Sequence, residues 1–253
     1  MRVVAGLLVT PPTSASLSAS TVTATASTIT GTIFAIAVSD DRGASPGWSV
    51  TLTATNLTAL GLVRKTQNGA GSTATASEIA LSGAYNGLNY QAGFSGSGAV
   101  IAGVFKYLVT AVNGSNMPTE VELTKPDLAV STVAVGADGQ VTANGFTLTF
   151  QTAVYASNDR FEVPVDSLPY TQLTITPANL SGTGSPPSST SGLTLGSAVS
   201  PSGSGVTSNS LTTLTAAAGS GNGTYQYDDQ LSWNTHANAL SATYSATITY
   251  TIT

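Results

Sequence analysis

The alternating stretch WSVTLTAT, residues Trp48–Thr55, decides the fold class. Apolar side chains take every second position, at Trp48, Val50, Leu52 and Ala54, and Ser or Thr fills the positions between them. A period of two is typical of a strand with one buried and one exposed face, and β-branched Thr suits the exposed face. The stretch therefore predicts an antiparallel sheet that is covered on one side only.

The same alternation recurs in segments spread along the chain, namely GFTLTFQ (145–151), RFEVPVD (160–166), QLTITPA (172–178) and YSATITYTIT (244–253). Glycine-rich turns separate these segments, and no segment has apolar residues at a helical spacing. We therefore predict an all-β protein, built as an antiparallel β-sandwich of the Greek-key or jelly-roll type with an apolar N-terminal strand arm.

The length of 253 residues suits one large β-domain or two small ones. We expect residues 13–253 to form a single large sandwich domain and residues 1–12 to form the strand arm. The Ser-, Gly- and Pro-rich stretches 181–192 and 200–205 have strand patterns after them, so they predict long exposed loops of that one domain.

Composition excludes several classes of protein. Only 8% of the residues are charged and seven are basic, for a net charge of −5, so no basic stripe exists to bind nucleic acid or an anionic membrane. No apolar run is long enough for a membrane-spanning helix. The absence of cysteine excludes disulfides and thiolate chemistry, and His236 is the only histidine. We therefore expect no enzyme activity and no cofactor.

The N-terminal arm is apolar on both faces. In RVVAGLLV (2–9), Val3, Leu7 and Val9 alternate with Val4 and Leu8. Such a strand needs a groove with apolar walls, either in its own molecule or in a neighbour that accepts it by β-strand addition. These five residues are the candidate self-assembly residues. The stretch also has the Arg and short apolar run of a signal peptide, but a retained, structured segment is the interpretation that we favour.

The densest group of charges, with its flanking glycines and tryptophan, comprises Asp40, Asp41, Arg42, Gly43, Gly47 and Trp48. Oxygen ligands from Asp40 and Asp41 suit a calcium ion, although a calcium loop usually supplies such ligands at every second residue. A catalytic pair is disfavoured because adjacent side chains of an extended segment point apart. The interpretation that we favour is a structural corner, in which Arg42 pairs with a carboxylate or stacks on Trp48.

This cluster also carries a family resemblance. Asp40-x-Arg42-Gly43, followed by Gly47-Trp48 at the start of an alternating strand, resembles the D-x-RG…GW segment of the WxL domain of Gram-positive surface proteins. A second motif of that family, Y-x-x-x-L-x-W-x-L, is similar to the end of this chain, where Tyr244 and Tyr250 fall at its aromatic positions. The resemblance implies a secreted β-protein that attaches non-covalently to the cell wall, with peptidoglycan as the proposed partner.

A further group of residues allows two interpretations. Asp228 and Asp229 lie beside Tyr225, Tyr227 and Trp233, and such aromatic faces next to carboxylates can line a sugar-binding surface. Tyr225 and Tyr227, however, share one face of an extended segment, which favours a role in the core or in cross-strand packing.

Taken together, these patterns predict an extracellular structural subunit of a cell-surface filament or surface layer, with a second copy of itself as its partner. The alternative is a WxL-like module that binds cell-wall polysaccharide. The hypothesis of a glycoside-acting enzyme is supported only by the scattered carboxylates. Two N-x-Ser/Thr sequons, at Asn113 and Asn222, lie in turn-like sequence and are the candidate glycosylation sites.

Overall fold

The computed structural model of the chain describes residues 6–15, 17, 27–43, 46–67, 70–73, 78–83, 103–126, 128–203, 207–235, 239–240 and 242–253. These residues form nineteen strands and one short 3₁₀ helix, Tyr170–Gln172. The strands are β1 (Leu7–Thr10), β2 (Thr28–Asp40), β3 (Trp48–Ala54), β4 (Leu57–Leu60), β5 (Arg64–Gln67), β6 (Ala70–Thr73), β7 (Ile79–Gly83), β8 (Gly103–Val112), β9 (Pro118–Thr124), β10 (Val130–Ala134), β11 (Gln140–Ala143), β12 (Phe146–Phe150), β13 (Arg160–Leu168), β14 (Leu173–Thr183), β15 (Leu193–Leu195), β16 (Leu211–Ala216), β17 (Gly223–Asn234), β18 (Tyr244–Ser245) and β19 (Ile248–Ile252).

The strands form four antiparallel sheets. Sheet 1 has the order β1-β2-β17-β14, sheet 2 has the order β15-β16-β3-β19, and sheet 4 has the order β11-β12-β7. Sheet 3 runs β10-β9-β8-β13-β4-β18, and β5 pairs with both β13 and β6. The predicted all-β antiparallel sandwich is confirmed. None of the described residues forms a helix of the length and apolar character that crossing a membrane requires.

The first hydrophobic core lies between sheet 1 and sheet 2. The alternating stretch WSVTLTAT supplies one wall, because Trp48, Val50, Leu52 and Ala54 are all buried while the Ser and Thr residues between them are not. The opposite wall comes from β2, β14 and β17, through Ile29, Ile33, Ile36, Val38, Leu173, Ile175, Tyr225, Tyr227, Leu231 and Trp233. The period-two pattern therefore identified the buried face correctly.

The second hydrophobic core is lined by residues of sheet 3 and sheet 4. The predicted inward residues of β12 and β13 are all buried there, namely Phe146, Leu148, Phe150, Phe161, Val163 and Val165. Aromatic rings meet edge to face in this core, as Phe150 and Phe161 do at 5.7 Å between ring centroids.

Two strands of sheet 3 contribute to both cores. In β4, Leu57 is buried in the first core and Leu60 packs on the second. In β13, Val165 belongs to the second core and Leu168 to the first. The two cores are therefore joined through continuous strands rather than through a flexible linker.

The C-terminal stretch departs from its prediction. A single alternating strand was expected over residues 244–253, with Ala246 on the inward face. The structure divides it into β18, which pairs with β4 of sheet 3, and β19, which pairs with β3 of sheet 2. Ala246 and Thr247 lie at the break and are exposed. The prediction is wrong at Ala246, because the chain changes sheets there and the alternation cannot continue through the change.

The two predicted loops lie beside sheet 1. Strand β14 continues to Thr183, so the first loop starts later than expected, and residues 184–192 are mostly exposed. Of the second loop, 200–203 is described and Pro201 is buried. Residues 204 and 205 lie outside the described residues.

Candidate functional site

The N-terminal strand β1 lies at the edge of sheet 1 and pairs with β2 alone in the described part of the chain. Leu7 and Val9 pack on the first core, whereas Leu8 points away from it and is 58% exposed. Val3 and Val4, the other candidate self-assembly residues, lie outside the described residues. The described part of the arm thus sits on its own sheet and exposes an apolar side chain at the edge.

The C-terminal strand β19 forms the edge of sheet 2 on the same side of the sandwich. It pairs with β3 and lies against β1. Natural edge strands usually carry a charged residue, a proline or a bulge that prevents further strand pairing. The sequences LLVT of β1 and ITYTI of β19 contain no charge and no proline. We call these two neighbouring strands the β1/β19 edge.

Two tyrosines hold the C-terminal segment to buried carboxylates. The Tyr244 hydroxyl donates to Asp166 Oδ2 at 2.5 Å, and the Tyr250 hydroxyl donates to Asp229 Oδ2 at 2.6 Å. Asp166 also accepts hydrogen bonds from the N–H groups of Ser167 and Leu240. The segment is therefore held by one tyrosine–carboxylate pair on each side of its break.

Asp229 has an unusual environment for a carboxylate. Its side chain is 0% exposed, and Oδ1 has no hydrogen-bond partner among the described residues. Burial raises the pKa of Asp229 to about 6, with a smaller contribution from Asp228, and the hydrogen bond from Tyr250 opposes this rise. Burial and the nearby Asp229 carboxylate raise the pKa of the Tyr250 and Tyr227 hydroxyls, so both stay protonated.

The charge cluster at residues 40–48 forms a folded corner. The buried Asp40 carboxylate accepts from Arg42 Nε at 2.8 Å and from Nη2 at 2.9 Å, and it also accepts from the Arg42 backbone N–H. These bonds hold the pKa of Asp40 below its usual value. Because the Arg42 guanidinium occupies the position that a cation at Asp40 would take, we do not propose a calcium site there.

The second carboxylate of the cluster holds the start of the N-terminal strand. Asp41 Oδ1 accepts from the Gly6 N–H, and the Asp41 N–H donates to the Gly6 carbonyl at 3.1 Å. Gly43 and Gly47 turn the chain with φ values of 74° and 87°, in the left-handed region that favours glycine. The corner therefore connects the entry of β1 with the entry of β3.

Trp48 lies in the core and is not available to stack on a ligand. It is 5% exposed, and its Nε1 donates to the Gly221 carbonyl at 3.2 Å. Tyr225, Tyr227 and Trp233 are buried as well, so the core interpretation applies to the aromatic residues near Asp228 and Asp229.

The outer face of sheet 1 presents an exposed aromatic side chain instead. Phe34 is 65% exposed and forms, with Ala35, a bulge of β2 opposite Asp228. Asp228 accepts from the Ala35 N–H at 2.9 Å and from Asn179 Nδ2 at 2.8 Å. Ala35 and Asn179 have φ values of 60° and 56°, which non-glycine residues rarely adopt. The bulge therefore carries an exposed ring at Phe34 and, through the next residue, holds the Asp228 carboxylate in a fixed orientation.

Both candidate glycosylation residues are exposed. Asn113 uses its side-chain oxygen to accept from the N–H groups of Ser115 and Met117, at 2.9 and 3.0 Å. Asn222 reaches the Gly43 carbonyl through Nδ2 at 3.5 Å. Within the described ranges no three acidic or histidine side chains gather as metal ligands, and His236 lies outside those ranges.

Sequence reasoning missed the two tyrosine–carboxylate pairs. A signal was present, because a buried tyrosine hydroxyl usually requires a hydrogen-bond partner and Tyr244 and Tyr250 both occupy positions on an apolar face. The identity of that partner depends on which strands face each other, and the spacing of residues does not contain this information.

No family model matches the chain, and no curated protein or solved structure is detectably similar to it. The resemblance to the WxL domain therefore stays a prediction.

Proposed function

We propose that this protein is an extracellular structural subunit of a cell-surface filament or surface layer, whose copies join by β-strand addition. The observation that carries the proposal is the β1/β19 edge, where two uncharged strands lie side by side and Leu8 is exposed. Edges of this kind are templates for strand pairing unless charges or prolines protect them.

The distribution of charge supports close packing of copies. Residues 167–227 contain no charged residue. The outer face of sheet 2 carries rows of hydroxyl side chains in register across its strands, from Ser49, Thr51, Thr53, Thr194, Thr212, Thr215, Thr249 and Thr251. Uncharged faces of this kind do not repel one another when copies pack side by side.

The substitution Leu8→Lys tests the proposal. A lysine on the exposed side of β1 protects the edge and leaves the core intact, so we expect loss of assembly with unchanged stability. The matched control is Ala37→Lys, which adds the same charge to an exposed position of the central strand β2. Electron microscopy and light scattering give the readout, and deletion of residues 1–12 provides a second variant. Assembly of Leu8→Lys at the wild-type level would overturn the proposal.

A second candidate function is a WxL-like module that binds cell-wall polysaccharide. The observation that favours it is the exposed Phe34 ring on the bulge that, with the Asn179 amide, orients the Asp228 carboxylate. Saccharide sites combine an apolar or aromatic surface with a few oriented polar groups.

Co-sedimentation with purified peptidoglycan tests this second candidate. Phe34→Ala should release the protein from the pellet, whereas Leu62→Ala, which removes an equally exposed apolar side chain elsewhere, should not. Equal retention of both variants, or no retention of the wild type, would contradict polysaccharide binding through this face.

A further inference from the structure

The C-terminal strand β19 pairs with one strand only, although it also lies against β1. Its backbone pairs with β3, from Ile248 opposite Ala54 to Ile252 opposite Val50. Its inward side chains, Ile248, Tyr250 and Ile252, are only partly buried against the first core. A strand at a sheet edge can leave without breaking any other strand pairing, and no strand of the described chain other than β3 pairs with β19.

A hinge precedes this strand. Upstream, Tyr244 is fixed to Asp166 and β18 is paired with β4, so the chain as far as Ser245 is held in sheet 3. Ala246 and Thr247 then cross to sheet 2 as exposed residues. Thr247 is hydrogen-bonded to Thr55 through both its N–H and its carbonyl, each at 2.9 Å, so it belongs to the part that would leave. Rotation of the backbone at Ala246 would move Thr247 and β19 away as a unit, with loss of these two bonds, while leaving β18 in place.

The polar contact that β19 makes with the core combines a favourable hydrogen bond with the unfavourable burial of a carboxylate. The Tyr250 hydroxyl ends on Asp229, a fully buried carboxylate whose Oδ1 is unpartnered in the described part of the chain. Tyr227, the other titratable group facing it, bonds to Thr213 at 2.8 Å, and Asp228 points to the opposite face of β17. None of the ion pairs of the described chain includes Asp229. Departure of β19 would return this carboxylate to water, which favours opening.

We infer that β19 is exchanged between copies: the C-terminal strand of one copy pairs with β3 of the next and places its Tyr250 on the Asp229 of that copy. The inference rests on the proposed function and adds a second contact to it: copies pair at the β1 edge, which Leu8→Lys tests, and also exchange β19 into the β3 groove, and assembly needs both contacts. The β19 strand of a neighbouring copy fits the groove beside β3 as well as the chain's own β19 does, because the two strands have the same sequence.

Disulfide trapping tests the exchange. Because the chain has no cysteine of its own, any disulfide must form between introduced cysteines. Thr51 and Thr251 are cross-strand partners between β3 and β19. Paired residues of this kind lie about 5.5 Å apart at Cα, within the range that a disulfide spans. Chains carrying Thr51→Cys are mixed with chains carrying Thr251→Cys and oxidised. We expect a disulfide-linked dimer, with the two cysteines identified in one peptide pair.

A matched control comes from the β11–β12 hairpin, where Thr142 faces Thr147. Chains with Thr142→Cys and chains with Thr147→Cys, mixed in the same way, should give only the low level of random cross-linking. The doubly substituted chain Thr51→Cys/Thr251→Cys closes its own disulfide and locks β19 in place. We expect oxidation to prevent assembly of this chain and reductant to restore it.

The outcomes separate the inference from the function on which it rests. If the locked chain assembles like the wild type, copies associate without exchanging β19 and the inference is overturned while the proposed function stands. If the wild-type chain is monomeric under all conditions in light scattering, both fail.

Hydrogen exchange of residues 248–252 gives an independent readout of the opening step. The ratio of opening in the wild type to opening in Asp229→Asn should rise about tenfold from pH 5 to pH 7.5. The cause is that the exposed carboxyl of the opened state has already released its proton at pH 5, whereas the buried carboxyl of the closed state holds its proton until the pH passes about 6, after which the ratio levels off. A ratio that does not change with pH would contradict the role of Asp229 in loosening the strand.

Discussion

Asp229 is a fully buried carboxylate, and its burial makes stability depend on pH. Its pKa is about 6 in the folded protein and 3.8 in an ordinary environment. Below the lower value the carboxyl is neutral in both states. As the pH rises between the two values the unfolded chain releases its proton first, so stability is lost across this interval and then levels off.

We therefore predict that the protein is about 3 kcal/mol less stable at pH 7.5 than at pH 3.5 through this group alone. The substitution Asp229→Asn should remove that difference, because it keeps an acceptor for Tyr250 and cannot ionise. Urea unfolding at several pH values measures the effect. Asp228→Asn is the control and should leave the pH dependence in place; equal flattening by both substitutions would contradict the assignment to Asp229.

Gly221 lies so close to the Trp48 side chain that the position has no room for a Cβ atom. A Cβ added to Gly221 would lie 2.5 Å from Trp48 Nε1, and one added to Gly219 would meet nothing within 4 Å. Both glycines have φ values in the left-handed region, 87° and 82°. Gly219→Ala should therefore cost only the backbone penalty of about 1–2 kcal/mol, and Gly221→Ala should cost clearly more. Urea unfolding measures the free energy of unfolding of the two variants. Equal decreases in both would show that the Trp48 side chain moves aside without destabilising the protein.

At the scale of the element, β2 combines regular pairing with a strained bulge. Ala35 has a φ of 60°, whereas Ala37 pairs regularly with Gln226. Ala35→Gly should stabilise the protein by about 1 kcal/mol because glycine adopts positive φ freely. Ala37→Gly should destabilise it by about 0.5–1 kcal/mol, because glycine weakens a regular strand. Thermal unfolding of both variants measures whether each substitution raises or lowers stability. A lower stability of Ala35→Gly would show that the bulge is not strained.

The elements also show how far sequence reasoning reaches. The buried faces of β3, β12 and the first part of β13, residues 160–165, were predicted because their residues alternate between one core and the other face of the sheet. At the end of β13 the residues 165–168 are all buried, since the strand passes from one core to the other there. The break at Ala246 could not be predicted, since the alternation of small and apolar residues continues through it. Only the positions of β4 and β3 in space determine that the chain must change sheets there.

The candidate site, too, could be predicted from the sequence only in part. The corner at Asp40 and Arg42 was visible as a local cluster, and its ion pair forms between residues two apart. The partners of Tyr244 and Tyr250 lie 78 and 21 residues away. The Tyr250–Asp229 pair joins sheet 2 to sheet 1, whereas the Tyr244–Asp166 pair joins two strands of sheet 3 that lie on either side of β4. Both pairs depend on the arrangement of strands in space, so a single sequence does not reveal them.

At the scale of the whole molecule, the continuous strands β4 and β13 should couple the two cores. Leu52→Ala empties space in the first core and Leu148→Ala does so in the second, and each should cost about 2–5 kcal/mol. Because the strands are shared, we expect each substitution to lower the midpoint of one common transition in differential scanning calorimetry. Two separate transitions, each moved by only one substitution, would indicate two domains and contradict the prediction of a single domain over residues 13–253.

The absence of charge from residues 167–227 and from the β1/β19 edge has a consequence for the effect of salt on the protein. Salt weakens contacts between exposed charges beyond about 10 Å at 0.1 M. The stretch 167–227 has no charge for salt to screen, and the β1/β19 edge has none either. Contacts made through hydroxyl rows and strand pairing would therefore keep their strength from fresh water to brine, so a layer of such subunits would hold together across a wide range of ionic strength.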